Sequence, residues 1–380
     1  MSADDLPSSG ADAVAAAPGD DALPERAYWV AFHRVAYIGP ARLRRLVESF
    51  GSLRAAWSAP VPELRRCLEQ RALQELLRAR EELDVAAIYQ DILSRGVSVS
   101  TPVDMSYPSL LAEIPAPPPV VYYRGELLET DRTAIAIVGT RRMTAYGREM
   151  TARIAGDLAR AGVTIVSGLA RGVDGVAHQA ALDAGGRTLA VLGSGVDRIY
   201  PPEHRNLAQR ITEQGAVLSD YLPDTPPDGV NFPPRNRIIS GLSLGVVVIE
   251  APDRSGALIT VDFAADQGRD IFALPGQANA ANSSGTNRLI REGARLVRSA
   301  EDILEDLQIH QTGRTDAIQQ SLPLSDDDRR LLAVLTAMPQ HIDDLAELCD
   351  GTVADISSRL MMLELQGLVR NAGAQHYARA

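Results

Sequence analysis

The sequence predicts an α/β protein built on a doubly wound, mainly parallel sheet. Three features point there: short apolar runs rich in β-branched residues, helical apolar spacing between them, and glycine-bearing loops after the first strands. Residues 134–175 carry all three. Ala134-Ile135-Ala136-Ile137-Val138 is an unbroken apolar run suited to a strand buried on both faces. Gly139-Thr140-Arg141-Arg142 breaks it, and from Thr144 the spacing of Met150, Ile154 and Leu158 is helical to about residue 161. Val163-Thr164-Ile165-Val166 reads as a second strand and the stretch from Ser167 to Gly172 as a second small-residue loop, with Asp174 placed to cap the next helix. Parallel sheets bind ligands at the carboxyl ends of their strands, and both loops there carry arginine. An anion is the expected ligand.

A length of 380 residues allows two or three domains. The net charge of -11 counts against binding nucleic acid through bulk charge, so the placement of cations matters more than their sum. The sequence contains no lysine, and all 38 basic side chains are arginine, a planar forked donor suited to phosphate. Cys67 and Cys349 fall in different segments, which predicts neither a disulfide framework nor a metal site. No apolar run reaches the ~20 residues of a membrane span and no signal-peptide core is present, so a cytoplasmic protein without membrane association is expected.

Taken in order, residues 1–24 are Ala, Asp, Ser, Gly and Pro and read as a disordered tail. Residues 25–95 read as a small helical domain from the spacing of Trp29, Phe32, Val35, Leu43, Leu46, Leu73 and Leu76, with breaks at 38–40 and 58–60. Arginine outnumbers acid between residues 26 and 80, and Ile38-Gly39-Pro40-Ala41 fits either a phosphate-binding hairpin or a plain helix start. The sheet domain is assigned to 96–307. Its proline-rich entry offers an edge strand near Val120-Val121-Tyr122-Tyr123, and later strands are expected at 188–192, 216–218, 245–249, 270–274 and 295–297. Residues 308–322 read as a linker. The last domain, 323–380, reads as three helices, at 326–337, 341–349 and 353–366, plus a two-stranded wing at 368–370 and 376–378. Its third helix offers only Arg359 as a cation beside Asp355 and Glu364, which suits a protein-interaction module better than a DNA reader.

Arg141 follows the first strand directly, where backbone amides and a helix N-terminus converge. A second cluster lies in Phe232-Pro233-Pro234-Arg235-Asn236-Arg237-Ile238-Ile239. Pro234 is expected to open a helix, which sets Arg235 and Arg237 in its first turn, where cations cost about 0.3 to 1 kcal/mol unless an anion intervenes. Gly193-Ser194-Gly195 begins like a dinucleotide fingerprint, but Arg198 occupies the third glycine position, so no nucleotide cofactor is expected. His178 on an Ala-rich helix reads as a core residue. Glu250 ends a strand where a catalytic carboxylate would stand, yet neither a second acid nor a nucleophile with a base accompanies it. A binder is therefore favoured over an enzyme. The rival is a nucleotide-metabolising enzyme, such as a nucleoside-monophosphate glycosyl hydrolase using Glu250.

Six ordered motifs resemble those of the DNA-processing protein A (DprA/Smf) family: Val138-Gly139-Thr140-Arg141, Ser167-Gly168-Leu169-Ala170-Arg171-Gly172-Val173-Asp174, Gly193-Ser194-Gly195-Val196-Asp197, Phe232-Pro233-Pro234-Arg235-Asn236-Arg237, Ser255-Gly256-Ala257-Leu258-Ile259-Thr260 and Leu274-Pro275-Gly276. The resemblance implies an extended Rossmann-like core flanked by an N-terminal domain similar to sterile-alpha-motif or helix-hairpin-helix modules and by a C-terminal winged helix. It implies binding of single-stranded DNA without catalysis, a homodimer, and loading of the RecA recombinase in natural transformation. Carried residue by residue, the DNA site would comprise Gly139, Thr140, Arg141, Ser167, Gly168, Gly172, Arg235, Asn236 and Arg237. The dimer surface would include Asn287, Ile290 and Leu296, the last two having core packing as their alternative.

Overall fold

The computed structural model describes residues 23–309, 325–336, 339–349, 351–365, 368–373 and 375–379. The tail expected at 1–24 and the linker expected at 308–322 therefore lie almost wholly outside the described residues. The chain divides into two units, Met1–Tyr107 with Ala116–Tyr122, and Pro108–Pro115 with Tyr123–Ala380.

Helices α1 (Glu25–His33), α2 (Pro40–Phe50), α3 (Leu53–Ser58), α4 (Val61–Leu64), α5 (Gln70–Glu82) and α6 (Val85–Ser94) form the first unit, followed by β1 (Ser98–Ser100). Phe32, Leu43, Leu46, Leu53, Leu64, Leu76 and Ile92 recur at helical spacing and are fully buried. Proline opens α2, where its missing N–H has no helical acceptor to lose, and Gly51 in the left-handed region closes it.

The second unit opens with α7 (Ser109–Ala112), and β2 (Val121–Gly125) straddles the division. Alternation then follows: β3 (Ala134–Val138), α8 (Ala145–Arg160), β4 (Thr164–Ser167), α9 (Val173–Asp183), β5 (Thr188–Val191), α10 (Arg205–Gln214), β6 (Gly215–Ser219) and α11 (Phe232–Gly241). β7 (Gly245–Val248), α12 (Gly256–Asp266), β8 (Asp270–Ala273), α13 (Ser284–Arg291), β9 (Arg295–Leu296) and α14 (Ala300–Asp306) complete it. Strands β3 to β9 are parallel in the order β6-β5-β4-β3-β7-β8-β9. The mainly parallel, doubly wound sheet expected from sequence is present. Ile135 and Ile137 of β3 pack with Met150, Ile154 and Leu158 of α8, while Ala190 of β5 packs with Leu182 and Ile211 on other helices. The chain winds outward from β3 to β6, then returns to the far side of β3 at β7. Loops leaving β3 and β7 therefore diverge, and a crevice opens between them.

Two local expectations are corrected. Asp174 is not the cap of its helix: α9 starts at Val173 after Gly172, and the Asp174 carboxylate accepts from the N–H groups of Gly168 (3.1 Å) and Ala170 (3.3 Å), holding the preceding loop. Helix α11 starts at Phe232, with Pro233 and Pro234 in its first turn, so Arg235 and Arg237 follow that turn. Proline fits anywhere in the first turn because those N–H groups lack helical acceptors, and its position fixes a helix start only approximately.

The C-terminal elements are α15 (Asp326–Val334), β10 (Gln340–His341), α16 (Ile342–Leu348), α17 (Val353–Leu365), β11 (Val369–Gly373) and β12 (His376–Arg379). The wing has three strands in the order β10-β12-β11 rather than the expected two, because Gln340 pairs with Tyr377. Leu331, Leu345, Leu360 and Leu363 close its core. Among the described residues no helix is long and apolar enough to cross a membrane, and no His, Cys, Asp and Glu cluster could hold a metal ion.

Candidate functional site

A cleft of about 720 Å³ occupies the crevice, lined among others by Thr140, Arg141, Phe232, Arg235, Asn236 and Arg254. Its first wall is the loop after β3. Thr140 N–H donates to the Glu250 carbonyl (2.8 Å), and the Thr140 hydroxyl accepts from Arg142 N–H (3.2 Å), so the loop is folded back on itself. Gly172 has φ 82°, and a Cβ there would overlap the Thr140 carbonyl. Glycine at 172 thus serves both the backbone conformation and the close approach of the two loops.

Arg235 forms the floor. It is 4 % exposed, its guanidinium donates to the Val191 carbonyl, its Nε is unpartnered, and no carboxylate lies within ion-pair distance among the described residues. Burial lowers its pKa to about 10, opposed by the negative charges of Asp174 and Asp220 and assisted by Arg141. Desolvation in turn pushes both aspartates upward. Gly168 is required by this packing, since a Cβ there would overlap the Arg235 guanidinium. Arg141 and Arg235 flank one ring: their Cζ atoms lie 5.8 and 5.9 Å from the Phe232 centroid. The negative ring face partly offsets the repulsion between two neighbouring cations. Tyr200 lies 5.7 Å from the same ring.

Of the residues singled out from sequence, Gly139, Thr140, Arg141, Arg235 and Asn236 line the main cleft. Gly168 lines a small recess beside Arg141 and Arg235, and Gly172 lines a separate cleft. Asn236 donates to the Gly256 carbonyl (3.4 Å). Arg237 is engaged by Asp220 at 2.6 Å, and the Ser167 hydroxyl donates to the Ile137 carbonyl (2.6 Å), so neither side chain reaches the cleft. The structure adds Arg254 and Tyr200 to the lining, along with Arg142. The side chains of Arg141, Arg142, Arg148 and Arg254 have no ion pair among the described residues, whereas Arg160, Arg187, Arg198, Arg210 and Arg298 pair with nearby aspartates.

Glu250 is fully engaged beneath α8. Its carboxylate accepts from Thr144 N–H (2.8 Å), from the Thr144 hydroxyl and from Asn282 Nδ2 (3.5 Å), and Gly147 leaves it room. That is a helix-cap role. His178 is buried, as read from sequence. Thr188 donates to the Ile165 carbonyl, so its hydroxyl accepts from His178 Nδ1–H at 2.7 Å, and Nε2 is left unpartnered.

On β9 and the preceding helix α13, Leu296 is 46 % exposed and Ile290 is half-buried. Asn287 brackets the backbone of Gly276, accepting from its N–H (3.2 Å) and donating to its carbonyl (3.0 Å). Arg359 of α17 pairs with Asp327 (2.9 Å) and Asp328 (3.2 Å) of α15, leaving Met361 and Met362 exposed on that helix.

The family model for DNA recombination-mediator protein A matches residues 98–308, and that for the DprA winged helix domain matches residues 315–374. Protein Smf of Synechocystis sp. is 34% identical, covering 93% of this chain and 99% of the relative. Protein Smf of Escherichia coli is 42% identical over 69% of this chain and 72% of its own. Among solved structures, DNA processing protein A from Streptococcus pneumoniae aligns with a TM-score of 0.68 at 33% identity, over 75% of this chain and 99% of that one. A Helicobacter pylori DNA processing protein A, described for its single-stranded DNA binding mode, aligns with a TM-score of 0.50 at 31% identity, over 56% of this chain and 95% of that one.

Proposed function

The chain belongs to the DNA recombination-mediator protein A family, and from the chemistry of its cleft we propose that it binds single-stranded DNA there. The observation that carries this reading is Arg235, a guanidinium buried to 4 % exposure without a carboxylate partner and facing an open cleft. Leaving such a charge uncompensated costs several kcal/mol, and a docked phosphate offsets that cost. Arg141 and Arg254 supply further forks, and Phe232 offers a ring face for a base. Ser167, Gly168, Gly172 and Arg237 act indirectly, by setting the loops and the floor that hold these groups. Contacts to phosphate and to a ring face carry little sequence information, so broad sequence tolerance follows.

The same reading assigns the protein to DNA processing in natural transformation, with two copies associating through the region of Ile290 and Leu296 and delivering the strand to RecA. No catalytic step is assigned, since Glu250 is engaged as a helix cap. Mobility shifts with single- and double-stranded DNA, each with and without RecA, test this. The expected result is preference for the single strand and faster RecA filament growth on it; equal affinity for both forms and no effect on RecA contradict it.

A further inference from the structure

A second cleft, of about 540 Å³, lies on the other side of the loop after β3 and shares Arg141 and Arg142 with the first. Arg148, Arg171, Gly172 and His204 contribute to its walls. Arg148 stands in the opening of α8 and Arg142 just before it, at the helix end whose cap residue Thr144 is held by the Glu250 carboxylate. Neither arginine has a side-chain partner among the described residues. Arg171 pairs with Glu203, and both side chains are about half exposed (54% and 50%), an arrangement that solvent and competing anions weaken. Unpaired guanidinium groups gathered around an open cleft fit a polyanion. Because the two clefts adjoin at Arg141 and Arg142, one chain of phosphates can enter both.

We propose that a single strand held in the first cleft crosses the Arg141-Arg142 ridge and continues into the second, where Arg142, Arg148 and Arg171 take further backbone phosphates. This inference rests on the assignment of the first cleft to single-stranded DNA. Binding should consequently depend on oligonucleotide length in a way the first cleft alone does not explain.

The test compares a dinucleotide with an oligonucleotide of about twelve nucleotides, long enough to span both clefts, on the full chain and on R148A/R171A, which removes two arginines of the second cleft that do not line the first. The double variant is expected to bind the dinucleotide as the parent does. It should bind the longer strand about tenfold more weakly, with a salt slope reduced by about 1.4 for two lost phosphate contacts. Unchanged affinity and slope for the longer strand, or equal weakening at both lengths, overturns the proposal. E203Q frees Arg171 without disturbing α8 and carries the test if the double variant fails to fold: the longer strand should bind about threefold more tightly, through a weakened competing ion pair, and unchanged affinity overturns the proposal. Loss of binding in R235A alongside an unaffected double variant removes the second cleft and leaves the first. Unchanged binding of both lengths by R235A removes both.

Discussion

A guanidinium as deeply buried as Arg235 ordinarily sits against a carboxylate, because an isolated charge in the interior is costly. Here Asp174 and Asp220 lie near enough to oppose the lowering of its pKa, yet Asp220 is engaged by Arg237 and Asp174 by two backbone N–H groups. On the proposed reading the charge is held ready for an external anion, at the expense of stability. R235M is therefore expected to raise the urea midpoint, by about 1 to 3 kcal/mol in unfolding free energy, while abolishing binding of the single strand; a lower midpoint contradicts this. A buried histidine, His178, and a half-buried one, His33, add a pH dependence. Burial lowers the pKa of His178 from 6.5 to about 3, assisted by the charges of His204 and Arg235, and lowers that of His33 from 6.5 to about 4. The unfolded chain protonates both below pH 6.5 and the folded chain does not, so the stability they contribute is complete above 6.5 and is lost as pH falls toward 4 and 3. Urea melts at stepped pH should show a decline of about 1.4 kcal/mol per unit for each such group, and H178Q should flatten it; an identical slope in H178Q speaks against the assignment. Arg141 and Arg235 stand out in the sequence because each follows a loop or a proline pair at a strand or helix end. The pairing of Arg237 with Asp220 does not, since no local spacing links residues on separate elements.

Glycines set the relation between the loops. Gly168 gives its Cβ space to Arg235 and Gly172 lies at φ 82° against the Thr140 carbonyl, so a methyl group at 172 displaces backbone whereas one at 168 displaces the Arg235 guanidinium. G168A is expected to weaken binding of the single strand at least tenfold with little change in fold, because the displaced atoms are a guanidinium and not backbone. Circular dichroism with a binding titration checks it, and parent-like affinity in G168A contradicts it. Glu250 acts at the same scale. E250A leaves the N-terminus of α8 without its carboxylate and should cost about 1 to 2 kcal/mol of stability, whereas incubation with nucleotides should release no free base from parent or variant. Release of base by the parent, lost in E250A, would restore the hydrolase reading. Strand positions were readable from sequence because buried parallel strands are continuous apolar runs, as at Ala134-Ile135-Ala136-Ile137-Val138. Helix starts at Phe232 and Val173 were not, since prolines and a buried aspartate near an N-terminus serve more than one arrangement.

At the scale of the whole molecule, the order β6-β5-β4-β3-β7-β8-β9 explains why loops distant in sequence meet. The return to β7 beside β3 brings residues 139–142 and 252–260 to one crevice, and α11 supplies its floor. Alternating strands and helices announce such a sheet; which loops converge depends on strand order, and only the motif resemblance carried that from the sequence. β9 ends the sheet with Leu296 46 % exposed. L296E is expected to shift sedimentation from two copies toward one, with the fold kept, and a profile unchanged from the parent excludes this edge from self-association. The central claim is that Arg235 and Arg141 grip phosphates of a single strand. Titrating a labelled single strand with the parent, R141A and R235A at several salt concentrations tests it most directly. Each variant should lose at least tenfold in affinity with a salt slope smaller by about 0.7, and parent-like affinity and slope in both would contradict the account.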